Sequence, residues 1–291
     1  MSDSADAGGR QTGAGANPLA GARLAFVGAG VMAEAMIAGL LARELVTPAQ
    51  VAGSHPRAHR REELGAKYGI EVFESNREAA ARAGAGGIVI LAVKPQKLVG
   101  VLKDLKDAVP TDALVVSIVA GARVETIAGE LLHPAVVRAM PNTPAQVGEG
   151  MTVWAATPQV SELRREQVRA MLGALGRELR VEEERQIDMA TALSATGPTY
   201  VFLVMEALID AGVHMGFSRE AARELVIQTM LGSVIFARES HKHPAELRNM
   251  VTSPGGTSAD AIYQMEKGGL RTVLSKAVYA AFQRAVALGK K

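Results

Sequence analysis

Cysteine is absent from all 291 residues, which excludes disulfides, thiolate nucleophiles and cysteine-held metals. Aromatic residues are scarce too, 4% of a chain that is 48% hydrophobic, so the core is expected to be mostly aliphatic. Neither sign of charge is in excess: 32 Lys and Arg stand against 30 Asp and Glu, a net charge of +2. That balance, with no dense basic tract, argues against nucleic acid or a membrane surface as partner. No apolar run of about eighteen residues is free of charge, so no membrane span is expected. The start of the chain lacks both the basic residues and the apolar run of a secretory signal. Residues 1–21, rich in Gly, Ala and Ser, read as a disordered tail. The expectation is a soluble, cytoplasmic protein.

Several catalytic signatures are missing as well. No pair of carboxylates stands out, and His133, His214, His241 and His243 are scattered singly. There is no metal-binding H-x-x-E-H spacing, no G-x-S-x-G elbow and no Walker loop. No metal is therefore expected. What remains is chemistry done by a borrowed organic cofactor that the protein binds and orients.

The first half supplies a place for one. Leu24 to Val27 is a short apolar run, followed by Gly28-Ala29-Gly30-Val31-Met32-Ala33 and then a helical pattern. This is G-x-G-x-x-A between a strand and a helix, the context in which the motif binds a dinucleotide. Gly28 permits the tight turn, Gly30 lets the backbone approach a pyrophosphate, and Ala33 allows close helix–strand packing. At the end of the next strand an enzyme that prefers NAD usually carries an acid for the ribose 2′-OH. Here that region offers Ser54, His55 and Arg57, with no acid before Glu62. A hydroxyl and a cation suit a 2′-phosphate, which favours NADPH and leaves NADH possible. Arg57, His59, Arg60 and Arg61 read nearly as well as a solvated helix start.

Further apolar runs at 86–96, 113–121, 135–144 and 150–157 alternate, in the earlier part, with helical patterns. Alternating β and α predicts a mostly parallel, doubly wound sheet of Rossmann type. Val93, Lys94 and Pro95, with Ala120 and Gly121, fall at strand ends, where such sheets bind ligands. Lys94 reads either as a ligand contact or as a solvent-facing side chain. From about residue 161 the strand signals stop, with Ser161 as the N-cap of the first of a series of helices. The expected domains are 22–158, binding the dinucleotide, and 159–291, all-α. Tyr200 to Ile209 is apolar nearly all round and interrupted only by Glu206, which favours burial against a second subunit over an intra-chain bundle. Pro198 is expected to kink or break the helix that contains it.

With these residues in view, the chain resembles the pyrroline-5-carboxylate reductases. The resemblance rests on FVGAGVMAEAMIAG, LAVKPQ, RAMPNTPAQVGEG, SATGPTYVF and above all HPAELRNMVTSPGGTSAD, in that order over roughly residues 22 to 288. It implies reduction of the cyclic imine 1-pyrroline-5-carboxylate to L-proline with NAD(P)H, the last step of proline biosynthesis. It further implies a Rossmann domain, an all-α dimerisation domain, a homodimer and in some members a decamer of five dimers. Carried over residue by residue, it places Gly28, Gly30, Val31 and Met32 at the phosphates, Ser54 and Pro56 by the adenosine, and Asn76 near the ribose. Val93, Lys94 and Pro95 would line the nicotinamide, with Ala120 nearby. Ser253, Gly255, Gly256, Thr257 and Ser258 would hold the substrate, Ser258 or else Thr257 donating a hydrogen bond to the imine nitrogen. The chain departs from the usual pattern at Ala195 for Gly, at His241 and Lys242 where an acid is common, at Asn249 for Asp and at Ser258 for Thr. A reductase of a related imino acid or β-hydroxy acid is the alternative enzyme, and a cofactor-binding protein without turnover the non-enzymatic one.

Overall fold

The computed structural model describes residues 17–289. The chain divides into two compact units, Met1–Glu184 and Arg185–Lys291. In order, the first contains β1 (Leu24–Val27), α1 (Val31–Ala42), β2 (Val51–Ser54), α2 (Ala58–Tyr68), β3 (Glu71–Phe73), α3 (Asn76–Ala81) and β4 (Ile88–Leu91). It continues with α4 (Leu98–Leu105), β5 (Leu114–Ser117), α5 (Val124–Leu131), β6 (Val136–Met140), β7 (Gly150–Ala156), α6 (Glu162–Gly173) and β8 (Gly176–Arg180).

The apolar runs become strands because their alternate residues feed two separate cores. Leu24 and Phe26 of β1 pack into one, and Ala25 and Val27 into the other. Ile88 and Ile90 of β4 likewise face away from Val89 and Leu91. A strand covered on both faces has no polar side to show, which is why each read as an unbroken apolar run. The eight strands form one sheet in the order β3-β2-β1-β4-β5-β6-β7-β8, parallel except where β6 meets β7. Strand order reverses at β1, flanked by β2 and β4, and there the carboxyl ends of the strands leave a crevice.

Two expectations about boundaries need correction. Strand signals do not stop at 161: β8 pairs in parallel with β7, and α6 packs on it, so residues 159–184 complete the first unit. The boundary expected between 158 and 159 thus falls between Glu184 and Arg185. Of the tail expected at 1–21, residues 1–16 lie outside the described residues, but 17–21 are built into the fold. Leu19 is 0% exposed and belongs to the core, Asn17 Nδ2 donates to the Leu45 carbonyl, and Gln167 Nε2 donates to that of Pro18.

The second unit contains α7 (Arg185–Ala190), α8 (Gly197–His214), α9 (Arg219–Ser240), α10 (Pro244–Met250), α11 (Thr257–Lys267) and α12 (Leu270–Leu288). The run is interrupted just before Pro198, as expected, by a bend at Thr196. The helix widens into a π-turn at Thr191–Ala195, where the Thr196 N–H donates to the Thr191 carbonyl at 2.9 Å and Pro198 enters the first turn of α8. Pro is tolerated there because its missing N–H would have had no helical partner. Together α7 to α8 span Arg185 to His214, 30 residues with an 18-residue window of mean hydropathy 1.4, long and apolar enough to cross a membrane by length and composition. The expectation of no uncharged run of eighteen residues still holds, because Asp188, Glu206 and Asp210 interrupt the helix. Within one chain its apolar side chains are left in the open: Phe202 is 59% exposed and Leu203 66%.

Truncating Leu19 to Ala leaves a hole in the first unit's core and is expected to cost about 2–5 kcal/mol. Urea unfolding would measure it; a loss below about 0.5 kcal/mol would show that residues 17–21 are not part of the core.

Candidate active site

Gly28 is the pivot of the dinucleotide motif. Its φ of 91° lies where side chains are disfavoured, and an added Cβ would come 2.7 Å from Val93 Cγ1 and 3.1 Å from the Ala92 backbone. Strand β1 therefore turns against the end of β4 at a point where only glycine fits. The turn is fastened from β2: the Ala29 N–H donates to the Ser54 carbonyl at 2.7 Å, and the Gly28 N–H donates to Ser54 Oγ at 3.1 Å. The Ser54 hydroxyl in turn donates to Asn76 Oδ1 at 2.8 Å. Gly30, with open space at its Cβ position, is the N-cap of α1 and has no side-chain cap. The first-turn N–H groups, including those of Val31 and Met32, are thus presented with the positive end of the helix dipole, as an anionic phosphate requires.

Gly28, Ser54, Asn76 and Val93 are brought together, and Gly30, Val31 and Met32 adjoin them. Lys94 and Pro95 are exposed just beyond the end of β4, and Ala120 precedes a Gly121 turn with φ 74° beyond β5. Pro56 is exposed after β2. Ser54 differs from expectation: it is 0% exposed and its hydroxyl is committed within the fold, so it shapes the turn rather than reaching a phosphate.

The basic run after β2 resolves into two pairs. Arg61 is spoken for, bonded to Glu74 at 3.0 Å and to the carbonyls of His55 and Pro56. Arg60 pairs with Glu34 on α1 and with Glu63 at 2.8 Å. Arg57 and His59 are exposed and form no salt bridge among the described residues. Burial first, and then the charges of Arg57 and Arg60, hold His55 below its ordinary 6.5; its Nδ1 accepts the Arg57 N–H at 3.2 Å.

Glu34 gave no signal in the sequence, yet it gathers three donors: Lys67 Nζ at 2.9 Å, the Tyr68 hydroxyl at 2.9 Å, and Arg60. Hydrogen bonds from Lys67, then Arg60 and Tyr68, outweigh desolvation and lower its pKa from 4.5 to about 2. Arg138 and Glu184 were missed as well. The Arg138 side chain is 2% exposed inside β6 and meets Glu184 at 2.9 Å, while Glu184 also accepts the Val124 N–H at 2.9 Å. An arginine inside the apolar run AVVRAM was the available clue, since a buried cation needs a partner.

In the second unit, the motif VTSPGGTSAD forms a turn that opens into a helix. The Gly256 N–H donates to the Ser253 carbonyl at 3.0 Å, with Pro254 and Gly255 between them and Gly255 at φ 68°. Pro followed by a glycine of positive φ is the signature of a type II turn. Gly256 then caps α11 with no side-chain cap bond, so Thr257 and Ser258 enter its first turn with hydroxyls and N–H groups side by side. Thr257 is exposed and Ser258 half-buried. The same unit carries an apolar groove of about 570 Å³ lined by Met189, Leu193, Leu274, Val278, Tyr279 and Phe282.

Comparison with known proteins agrees with both units. The family model for pyrroline-5-carboxylate reductase dimerisation matches residues 184–288, and one described as an F420-dependent NADP oxidoreductase matches 23–121. A pyrroline-5-carboxylate reductase of Pseudomonas aeruginosa is 42% identical over 270 residues, 92% of this chain and 97% of that protein. One of Synechocystis is 40% identical, over 92% of this chain and 99% of its own length. Among solved structures, the pyrroline-5-carboxylate reductase of Coxiella burnetii superposes with a TM-score of 0.84 at 35% identity, covering 93% of this chain and 99% of that one. The pyrroline carboxylate reductase of Plasmodium falciparum, solved with NADP bound, gives 0.83 at 31%, covering 92% and 98%.

Replacing Ser54 by Ala removes the acceptor of the Gly28 N–H and the donor to Asn76. It is expected to cost about 1–3 kcal/mol of stability. A melting temperature equal to that of the parent would show that the turn does not depend on this hydroxyl.

Proposed function

The chain belongs to the pyrroline-5-carboxylate reductase family, and from that premise we propose that it reduces 1-pyrroline-5-carboxylate to L-proline with NADPH ahead of NADH. The family makes it a nicotinamide-dependent oxidoreductase with a small-molecule substrate and a dimerisation domain. On this reading it works in the cytoplasm as a homodimer, with five dimers to a decamer as the larger assembly.

The residues present suit the cofactor. Gly28 keeps the phosphate turn free of a side chain, and Gly30, Val31 and Met32 present amides at the α1 N-terminus for the pyrophosphate. Asn76, fixed by Ser54, keeps its amide NH2 to donate to a ribose hydroxyl, beside Pro56. Arg57 and His59 are the exposed bases for a 2′-phosphate. Val93, Lys94, Pro95 and Ala120 would border the nicotinamide, which when bound and reduced supplies the hydride.

The observation that carries the substrate reading is the turn from Ser253 to Gly256. It leads into a helix whose first residues are the small hydroxyls Thr257 and Ser258, with no side chain capping it. Such an end offers amides and dipole to a carboxylate. Ser253, Gly255, Gly256 and Thr257 would hold the carboxylate. The Ser258 hydroxyl would donate to the ring nitrogen and stabilise charge there as the imine becomes an amine, with Thr257 next in line. The glycines keep the approach to the ring open. Binding both reactants in register accounts for much of the acceleration, orientation alone being worth about 7–11 kcal/mol.

The test is cofactor oxidation with racemic 1-pyrroline-5-carboxylate, with pyrroline-2-carboxylate as competitor. NADPH consumption with L-proline formed supports the reading; cofactor binding without turnover on either imine would contradict it. Ser258→Ala is expected to lower kcat about 10- to 100-fold with an unchanged melting temperature. An unaltered kcat would remove Ser258 from the chemistry.

A further inference from the structure

Glu34 stands in the first turn of α1, four residues from the cap at Gly30, with its N–H bonded to the Gly30 carbonyl. Arg60 stands in the first turn of α2, its N–H bonded to the carbonyl of the cap residue Arg57. The Ser54 turn lies in the chain between these two helix starts. Glu34 thus joins the phosphate-facing ends of both helices through a side-chain pair that is only 13% and 19% exposed.

The charges in this cluster cancel. Glu34 and Glu63 face Arg60 and Lys67, two negative groups on two positive ones. Each Glu34 oxygen is taken: one by Arg60, the other by Lys67 and the Tyr68 hydroxyl. An arginine held between two carboxylates has its charge already compensated and draws a third anion less strongly. Arg61 is similarly occupied, which leaves Arg57 as the arginine of the run without an acid partner among the described residues.

We propose that Glu34 sets how strongly this protein distinguishes NADPH from NADH, by neutralising Arg60 in the first turn of the helix that follows β2, the region where NAD-preferring folds hold the ribose, and Lys67 in the last turn of the same helix. The acid that discriminates is displaced from the end of β2, where NAD-preferring folds carry it, to the first turn of α1. From there it opposes a 2′-phosphate indirectly, by occupying the cations that would bind it, and so keeps NADH usable. Glu34 is a specificity residue that acts through Arg60 and touches no reacting atom. The inference rests on the cofactor reading given above.

Removing the charge while keeping the shape, Glu34→Gln, frees one side of Arg60 and leaves Lys67 without its acid partner. The local balance shifts by one positive charge. The expected result is about a fivefold rise in the ratio of NADPH to NADH affinity, from tighter NADPH binding, shrinking as salt is added. The pair Glu34→Gln with Arg60→Gln should return the ratio to near the parent value, and Glu34→Asp should keep it there. Calorimetric titration of the full chain with NADPH and with NADH measures this without any imine substrate. If Glu34 only braces the two helices, Glu34→Gln weakens both cofactors alike or lowers only the melting temperature, and the proposal is overturned. An unchanged ratio overturns it as well. If the parent chain binds neither cofactor, the cofactor reading itself falls and takes this inference with it.

Discussion

The first unit depends on the absence of one side chain. At Gly28 the chain must leave β1 with positive φ, pass against Val93 and Ala92, and give its N–H to Ser54. That single turn ties β1 to both neighbours in the sheet, and it aims α1 so that its uncapped start faces the crevice at the strand ends. The two aliphatic cores on either face of the sheet hold the strands rigid, so the turn is not free to relax. Ser54 and Asn76 matter for the same reason: they satisfy the polar groups that the tight turn exposes.

The second unit has the opposite character. Its helices turn large apolar side chains outward along α8, α9 and α12, with Val234 67% and Val273 60% exposed. A match to a dimerisation family over 184–288 gives that surface its physical sense, because apolar area of this kind is stable in water only when covered. Set within this apolar unit, the Ser253–Ser258 stretch is small and polar, and it opens into α11 with no side chain capping the helix. Its glycines and small hydroxyls leave the start of α11 open to an anion.

How much could be read from the sequence follows from how local each feature is. The strand–glycine–helix motif, the capping of α6 by Ser161 and the turn before α11 are set within a few residues, and each was legible. β8 was hidden because Gly-Arg-Glu-Leu-Arg lies at the sheet edge, where charged residues are the rule and no apolar run is needed. The π-turn was hidden because Pro198 signals the interruption but not the widened turn that precedes it. Leu19 was hidden by the glycine-rich sequence just before it. Glu34 with Arg60, and Arg138 with Glu184, lie 26 and 46 residues apart, and no spacing rule links them. Such pairs appear only once the fold has set the elements side by side.

The family's reaction is hydride transfer from a nicotinamide to the imine carbon of 1-pyrroline-5-carboxylate. Reduced NADPH carrying deuterium at the transferable ring position tests it in this chain most directly, with racemic 1-pyrroline-5-carboxylate as substrate and mass and chiral analysis of the product. L-proline bearing one deuterium on the former imine carbon is the expected product. Proline without label, or consumption of cofactor with no proline formed, would contradict the proposed reaction.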